Sequence, residues 1–94
     1  MRKLIVVTGG SKGIGRSVIE KFARHDFDIV TCARNETELQ QMKDDIRAIT
    51  PTSQVFYKAT DMSERDQVAA FAQYVLSLKR DLTVLVNNTG FFIP

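Results

Sequence analysis

Apolar residues recur along this chain in two alternating periods. Residues 4–8, Leu4-Ile5-Val6-Val7-Thr8, form a short continuous apolar run of the kind seen in strands buried on both faces. From Arg16 to His25 the period lengthens, and Val18, Ile19, Phe22 and Ala23 share one helical stripe. Residues 29–33 make a second continuous run with a β-branched centre. Asn35 then stands as a helix N-cap with Glu38 at the capping-box position. Leu39, Met42, Ile46 and Ile49 give that helix a face to bury. Thr50-Pro51 ends it, because proline disfavours helical geometry in the residue before it. Residues 54–60 alternate and carry Lys58, as an edge strand does. Ser63 is the expected cap of a third helix, with Asp66 at the matching position and Val68, Phe71, Ala72, Val75 and Leu76 at helical spacing. Residues 82–86 are a fourth strand, closed by Asn87-Asn88-Thr89-Gly90.

The succession βαβαβαβ specifies an α/β protein with a mostly parallel sheet and right-handed crossovers. The expected architecture is a Rossmann-like, doubly wound sheet of strand order 3-2-1-4, truncated relative to the complete fold. The first two helices then lie on one face and the third on the other. The chain reverses direction after strand three, which leaves a crevice at the carboxyl ends of strands one and four.

Thr8-Gly9-Gly10-Ser11-Lys12-Gly13-Ile14-Gly15 opens into that crevice. A glycine loop between a strand and a helix presents free backbone N–H groups and the positive end of the helix dipole, a field that suits a pyrophosphate. Gly9 permits the tight turn, and Gly13 and Gly15 let the ligand and the neighbouring strand come close. The run is not a Walker P-loop, because no Gly-Lys-Ser/Thr ends it.

Composition narrows the field further. With 94 residues, 44% hydrophobic and 26% charged, the chain reads as one small soluble domain. Its net charge is only +2 and its basic residues are scattered, which argues against nucleic acid. Cys32 is the single cysteine, so no internal disulfide forms and a reducing cytoplasm fits. One cysteine and one histidine leave no metal site to expect. His25 lies near the helix end opposite the glycine loop, where capping or a surface role suits it. Asp44 and Asp45 read as a solvated helix face. No stretch could span a bilayer, and the N-terminal apolar run is too short for a signal peptide.

Thr8-Gly9-x-x-x-Gly13-x-Gly15 is similar to the T-G-x-x-x-G-x-G cofactor motif of the short-chain dehydrogenase/reductase family. Asn87-Asn88-Thr89-Gly90 resembles that family's N-N-A-G motif, with Thr89 in place of alanine. Asp61-Met62 stands where the family has an aspartate that meets the adenine ring. The resemblance runs through the whole chain, but that is only about the first third to half of a family member.

A dinucleotide fold that prefers NAD usually places an acid after strand two, to bind the ribose hydroxyls. Here that position reads Cys32-Ala33-Arg34-Asn35, without an acid. Arg34 offers a planar fork that matches a phosphate, and Lys12 could reach the same phosphate from the glycine loop. NADP-preferring family members resemble this pair, so NADP(H) is the expected cofactor, its 2′-phosphate held by Arg34 and Lys12. Gly9, Ser11, Gly13, Ile14 and Gly15 are expected along the pyrophosphate. Asn35 and Met62 are further cofactor-binding candidates, and the resemblance implies that Asn88, Thr89 and Gly90 line the adenosine ribose. Asp61 has two readings: acceptor for the adenine amino group, or part of the turn before the third helix. In the family the asparagine pair, here Asn87 and Asn88, fastens neighbouring strands.

The family's reaction uses a Tyr-x-x-x-Lys pair and a serine. Four residues after Tyr57 stands Asp61, and four after Tyr74 stands Leu78, so no catalytic residue is assigned. Phe91-Phe92-Ile93-Pro94 stops in mid-pattern, and strand four would otherwise be a bare apolar edge. Residues 1–94 are therefore expected to be the N-terminal NADP-binding half of an oxidoreductase, inactive alone. The parent would pass a hydride between NADPH and a small carbonyl or alcohol, as a cytoplasmic homo-oligomer. The alternative is a non-catalytic NADP-binding or sensor module.

Overall fold

A computed structural model describes residues 2–88. In chain order the elements are β1 (Lys3–Thr8), α1 (Gly13–Ala23), β2 (Phe27–Ala33), α2 (Glu36–Ile49), β3 (Val55–Ala59), α3 (Arg65–Ser77) and β4 (Val84–Asn87). The sheet runs β3-β2-β1-β4 with every pairing parallel, as the alternation of strand and helix patterns requires. Val7 of β1 faces Thr31 of β2 and Val86 of β4, so the carboxyl ends of the three strands finish together.

Side chains alternate across each strand, and the two faces build separate cores. Ile5, Val7 and Ile29 pack under Ile19 and Ala23 of α1 and Leu39, Met42 and Ile46 of α2. Leu4, Val6, Val30 and Cys32 face the other way, toward Phe71 of α3. The second layer is thin. Phe71 is the one buried residue of α3, whereas Leu76 is 68% exposed and Leu85 of β4 is 63% exposed.

Several boundaries differ from the sequence expectation. Helix α1 begins at Gly13 rather than Arg16 and ends at Ala23, so its first turn lies inside the glycine motif. Strand β2 begins at Phe27 and carries the buried Asp28 into the sheet. Ile49 is the last residue of α2 and is 45% exposed, turned away from the core rather than buried in it. Helix α3 begins at Arg65 with Glu64 as an N-cap that makes no side-chain bond, so Ser63 is not its cap. Strand β4 starts only at Val84. The cap of α2 is half a capping box. Asn35 Oδ1 accepts from the Glu38 amide at 3.0 Å, but the Glu38 carboxylate turns to Ser11 instead. Asp45 is not merely solvated, because Arg16 Nη2 donates to its Oδ2 at 2.6 Å and ties α1 to α2.

At the amino ends of the strands, Asp28 gathers a charged cluster. Arg2 Nε and Arg80 Nη1 each donate to its carboxylate at 2.7 Å, and the Gln54 amide donates at 2.9 Å. Arg80 Nη2 also donates to the Arg2 carbonyl at 3.0 Å. Burial pushes the Asp28 carboxyl up, but the Gln54 amide and the two guanidiniums outweigh it and hold the group below its ordinary value.

Candidate functional site

The opposite end of the sheet holds the glycine loop. Gly9 takes φ 71°, a left-handed conformation that only glycine adopts readily, and its amide donates to the Cys32 carbonyl at 2.8 Å. Gly13 takes φ 65° with open space where a β-carbon would stand, so its requirement is conformational rather than one of close packing. Gly15 is the point of close approach. A β-carbon there would collide with the Gly9 carbonyl and lie 2.6 Å from Asn88 Nδ2. The group it admits is thus the loop's own backbone and the residue just past β4. Gly10, given no role from sequence, is equally constrained, because a β-carbon would strike Thr31 Oγ1 and Ile19 Cδ1.

Thr8 joins the two motifs. Its hydroxyl donates to Asn87 Oδ1 at 2.9 Å and accepts from the Asn88 amide at 2.9 Å. Asn88 Nδ2 donates in turn to the Gly9 carbonyl at 3.2 Å. These bonds cross from the end of β4 to the end of β1 and fix the loop above them.

A cleft of about 690 Å³ opens between the glycine loop, the end of β2 and the turn after β3. It brings together Gly9, Ser11, Lys12, Arg34, Asn35, Asp61, Met62 and Asn88 of the sequence candidates. Gly13, Ile14 and Gly15 lie outside its lining: Gly15 is buried beneath the loop, and Ile14 stands 75% exposed in the first turn of α1. Thr89 and Gly90 fall outside the described residues. Glu38 and Ser63 also line the cleft and were not among the candidates. The signal for Glu38 was its place one helical turn beyond Arg34, which the capping reading absorbed.

Charge in the cleft is uneven. Lys12 and Arg34 are exposed, and neither makes an ion pair among the described residues. Asp61 serves the turn: its Oδ1 accepts from Ser63 Oγ at 2.6 Å and from the Ser63 amide at 3.0 Å. The Ser63 bonds, with a smaller contribution from Arg34, hold the Asp61 carboxyl below its ordinary value. Burial pushes the Cys32 thiol up to about 11, so it is not a nucleophile at neutral pH. His25 is exposed at the far end of α1, its ring Nδ1 paired with the Lys21 carbonyl at 2.8 Å. Among the described residues no group of histidine, cysteine and acids could hold a metal, and no helix is long and apolar enough to cross a membrane.

A family model for short chain dehydrogenases matches residues 3–93. The chain belongs to that family. It is 43% identical to Senescence-associated protein 13 of Arabidopsis thaliana over 86 residues, covering 90% of this chain and 31% of that protein. The crystal structure of YwfH, an NADPH-dependent reductase involved in bacilysin biosynthesis, superposes with a TM-score of 0.88 at 34% identity, covering 100% of this chain and 35% of that one. L-Sorbose reductase from Gluconobacter frateurii, solved with NADPH and L-sorbose, gives a TM-score of 0.88 at 31% identity, covering 96% of this chain and 34% of that one. This short chain dehydrogenase sequence therefore spans about a third of the length of the relatives it matches.

Proposed function

We propose that residues 1–94 form the NADP(H)-binding portion of a short chain dehydrogenase whose whole protein transfers a hydride between NADPH and a carbonyl or alcohol. One observation carries the reading. Lys12 and Arg34 flank the cleft with no ion-pair partner among the described residues, and no acid stands at the end of β2. Two cations without an ion-pair partner among the described residues, beside a helix N-terminus, favour a ligand with both a pyrophosphate and a further phosphate. The cradle fits such a group. Gly9 and Gly13 hold left-handed turns, and Gly15 leaves no room for a side chain.

In this reading Arg34 and Lys12 hold the 2′-phosphate, and the start of α1 receives the pyrophosphate between Gly9, Ser11 and Gly13. Asn35, Asp61 and Met62 border the adenosine, and Asn88, Thr89 and Gly90 follow its ribose. The asparagine pair holds the loop in place through Thr8. When bound, the nicotinamide supplies or receives the hydride. The parent acts on a small molecule, assembles with copies of itself, and works in the cytoplasm.

A second reading is a non-catalytic NADP-binding or sensor module. It expects nucleotide binding without carbonyl-dependent oxidation of NADPH. The test of the binding reading is fluorescence titration with NADPH and NADH. NADPH should bind at least roughly tenfold tighter, and Arg34→Ala should remove most of that margin, as the loss of a charge-assisted contact does. Equal affinities in the unmodified chain overturn it.

A further inference from the structure

Glu38 is the carboxylate on the glycine-loop side of the cleft. It occupies the first turn of α2, where the helix dipole favours negative charge. Its Oε1 accepts a hydrogen bond from Ser11 Oγ at 3.3 Å, and Ser11 is itself 7% exposed, so the acid is tethered to a buried side chain of the glycine loop. It makes no ion pair with any described residue, although Lys12 and Arg34 line the same cleft. The other acid there, Asp61, is engaged by both donors of Ser63.

A carboxylate without an ion-pair partner in a cleft acts on every charge that enters. A ribose hydroxyl carries no charge for it to repel. A phosphate dianion is repelled.

We propose that Glu38 sets how strongly this chain discriminates NADP from NAD: tethered by Ser11, its carboxylate opposes the 2′-phosphate that Arg34 and Lys12 attract. The inference rests on the cofactor reading above and adds a specificity-determining residue to it. Discrimination is then smaller than the two cations alone would give, and removing the negative charge enlarges it.

Glu38→Gln keeps the size of the side chain and an acceptor oxygen for Ser11. It should tighten NADPH about fivefold while moving NADH by less than about twofold, and the gain should shrink as salt rises. Competition by 2′,5′-ADP against 5′-AMP should show the same split, which places the effect at the added phosphate. Glu38→Asp keeps the charge and should retain the original ratio. Thermal melting of each variant separates a folding defect from a binding effect. Parallel shifts for both cofactors, or no gain for NADPH in a folded Glu38→Gln chain, overturn the inference. Arg34→Ala, titrated alongside, separates the two claims. If it erases discrimination while Glu38→Gln changes nothing, only the role of Glu38 falls. If Arg34→Ala leaves discrimination intact, the cofactor reading falls and this inference with it.

Discussion

Asp28→Asn tests whether the charged cluster at the amino ends of the strands holds the sheet together. The substitution keeps the shape and leaves one oxygen for Arg2 and the Gln54 amide, but it turns an amide N–H toward Arg80. Removing one partner of a buried ion pair costs about 3–5 kcal/mol. The Asp28 side chain is 4% exposed, but Arg2 and Arg80 are 24% and 22% exposed and can swing partly into water. That relief lowers the expected loss to about 2–3 kcal/mol. A domain of this length has roughly 5–14 kcal/mol in all, so the loss is a large share. With a urea dependence of about 1.5 kcal/mol per molar, the midpoint should fall by about 1.5 M. The assay is urea unfolding followed by far-UV circular dichroism at neutral and acid pH. The Asp28 carboxyl sits below its ordinary value in the folded state. Its contribution is therefore complete above about pH 3.9, the unfolded value. It is lost as pH falls from there through the folded value. The gap between the two proteins should close in that acid window and nowhere else. A midpoint shift under about 0.3 M at neutral pH would refute the reasoning.

Two further substitutions probe the site's scaffold. Gly15→Ala should force the Gly9 carbonyl and Asn88 apart, at about 1–3 kcal/mol of stability, with a larger loss of nucleotide affinity than of folding. Normal NADPH titration with Gly15→Ala would show that the loop tolerates the shift. Asn35→Ala removes the cap on the Glu38 amide and should cost about 1 kcal/mol, read as a lower melting temperature. An unchanged melting temperature would mean that α2 is held by its packing alone.

Much of this protein was legible in its sequence. The order of elements and the 3-2-1-4 sheet follow from alternating hydrophobic periods, because strand and helix repeats are local and the handedness of a crossover leaves few topologies. The glycine loop and the asparagine pair were legible too, since their residue types and spacing are read along the chain. Their partners were not. Asp28 stood outside the expected strand, which opened at residue 29, until β2 began at Phe27 and placed it beside Arg80, 52 residues away. Asp45 looked solvated until α1 and α2 packed side by side and brought Arg16 to it. Ser63 had the chemistry of a cap, but the chain turned two residues later and gave it to Asp61. Glu38 had the spacing of a capping box, yet its carboxylate found Ser11 on a different element. Sequence patterning determined which segments are strands and helices and how they stack, because burial acts through a local period. Which charges meet was decided only by the folded sheet, because an ion pair is chosen by distance in space, and the crossovers set that distance.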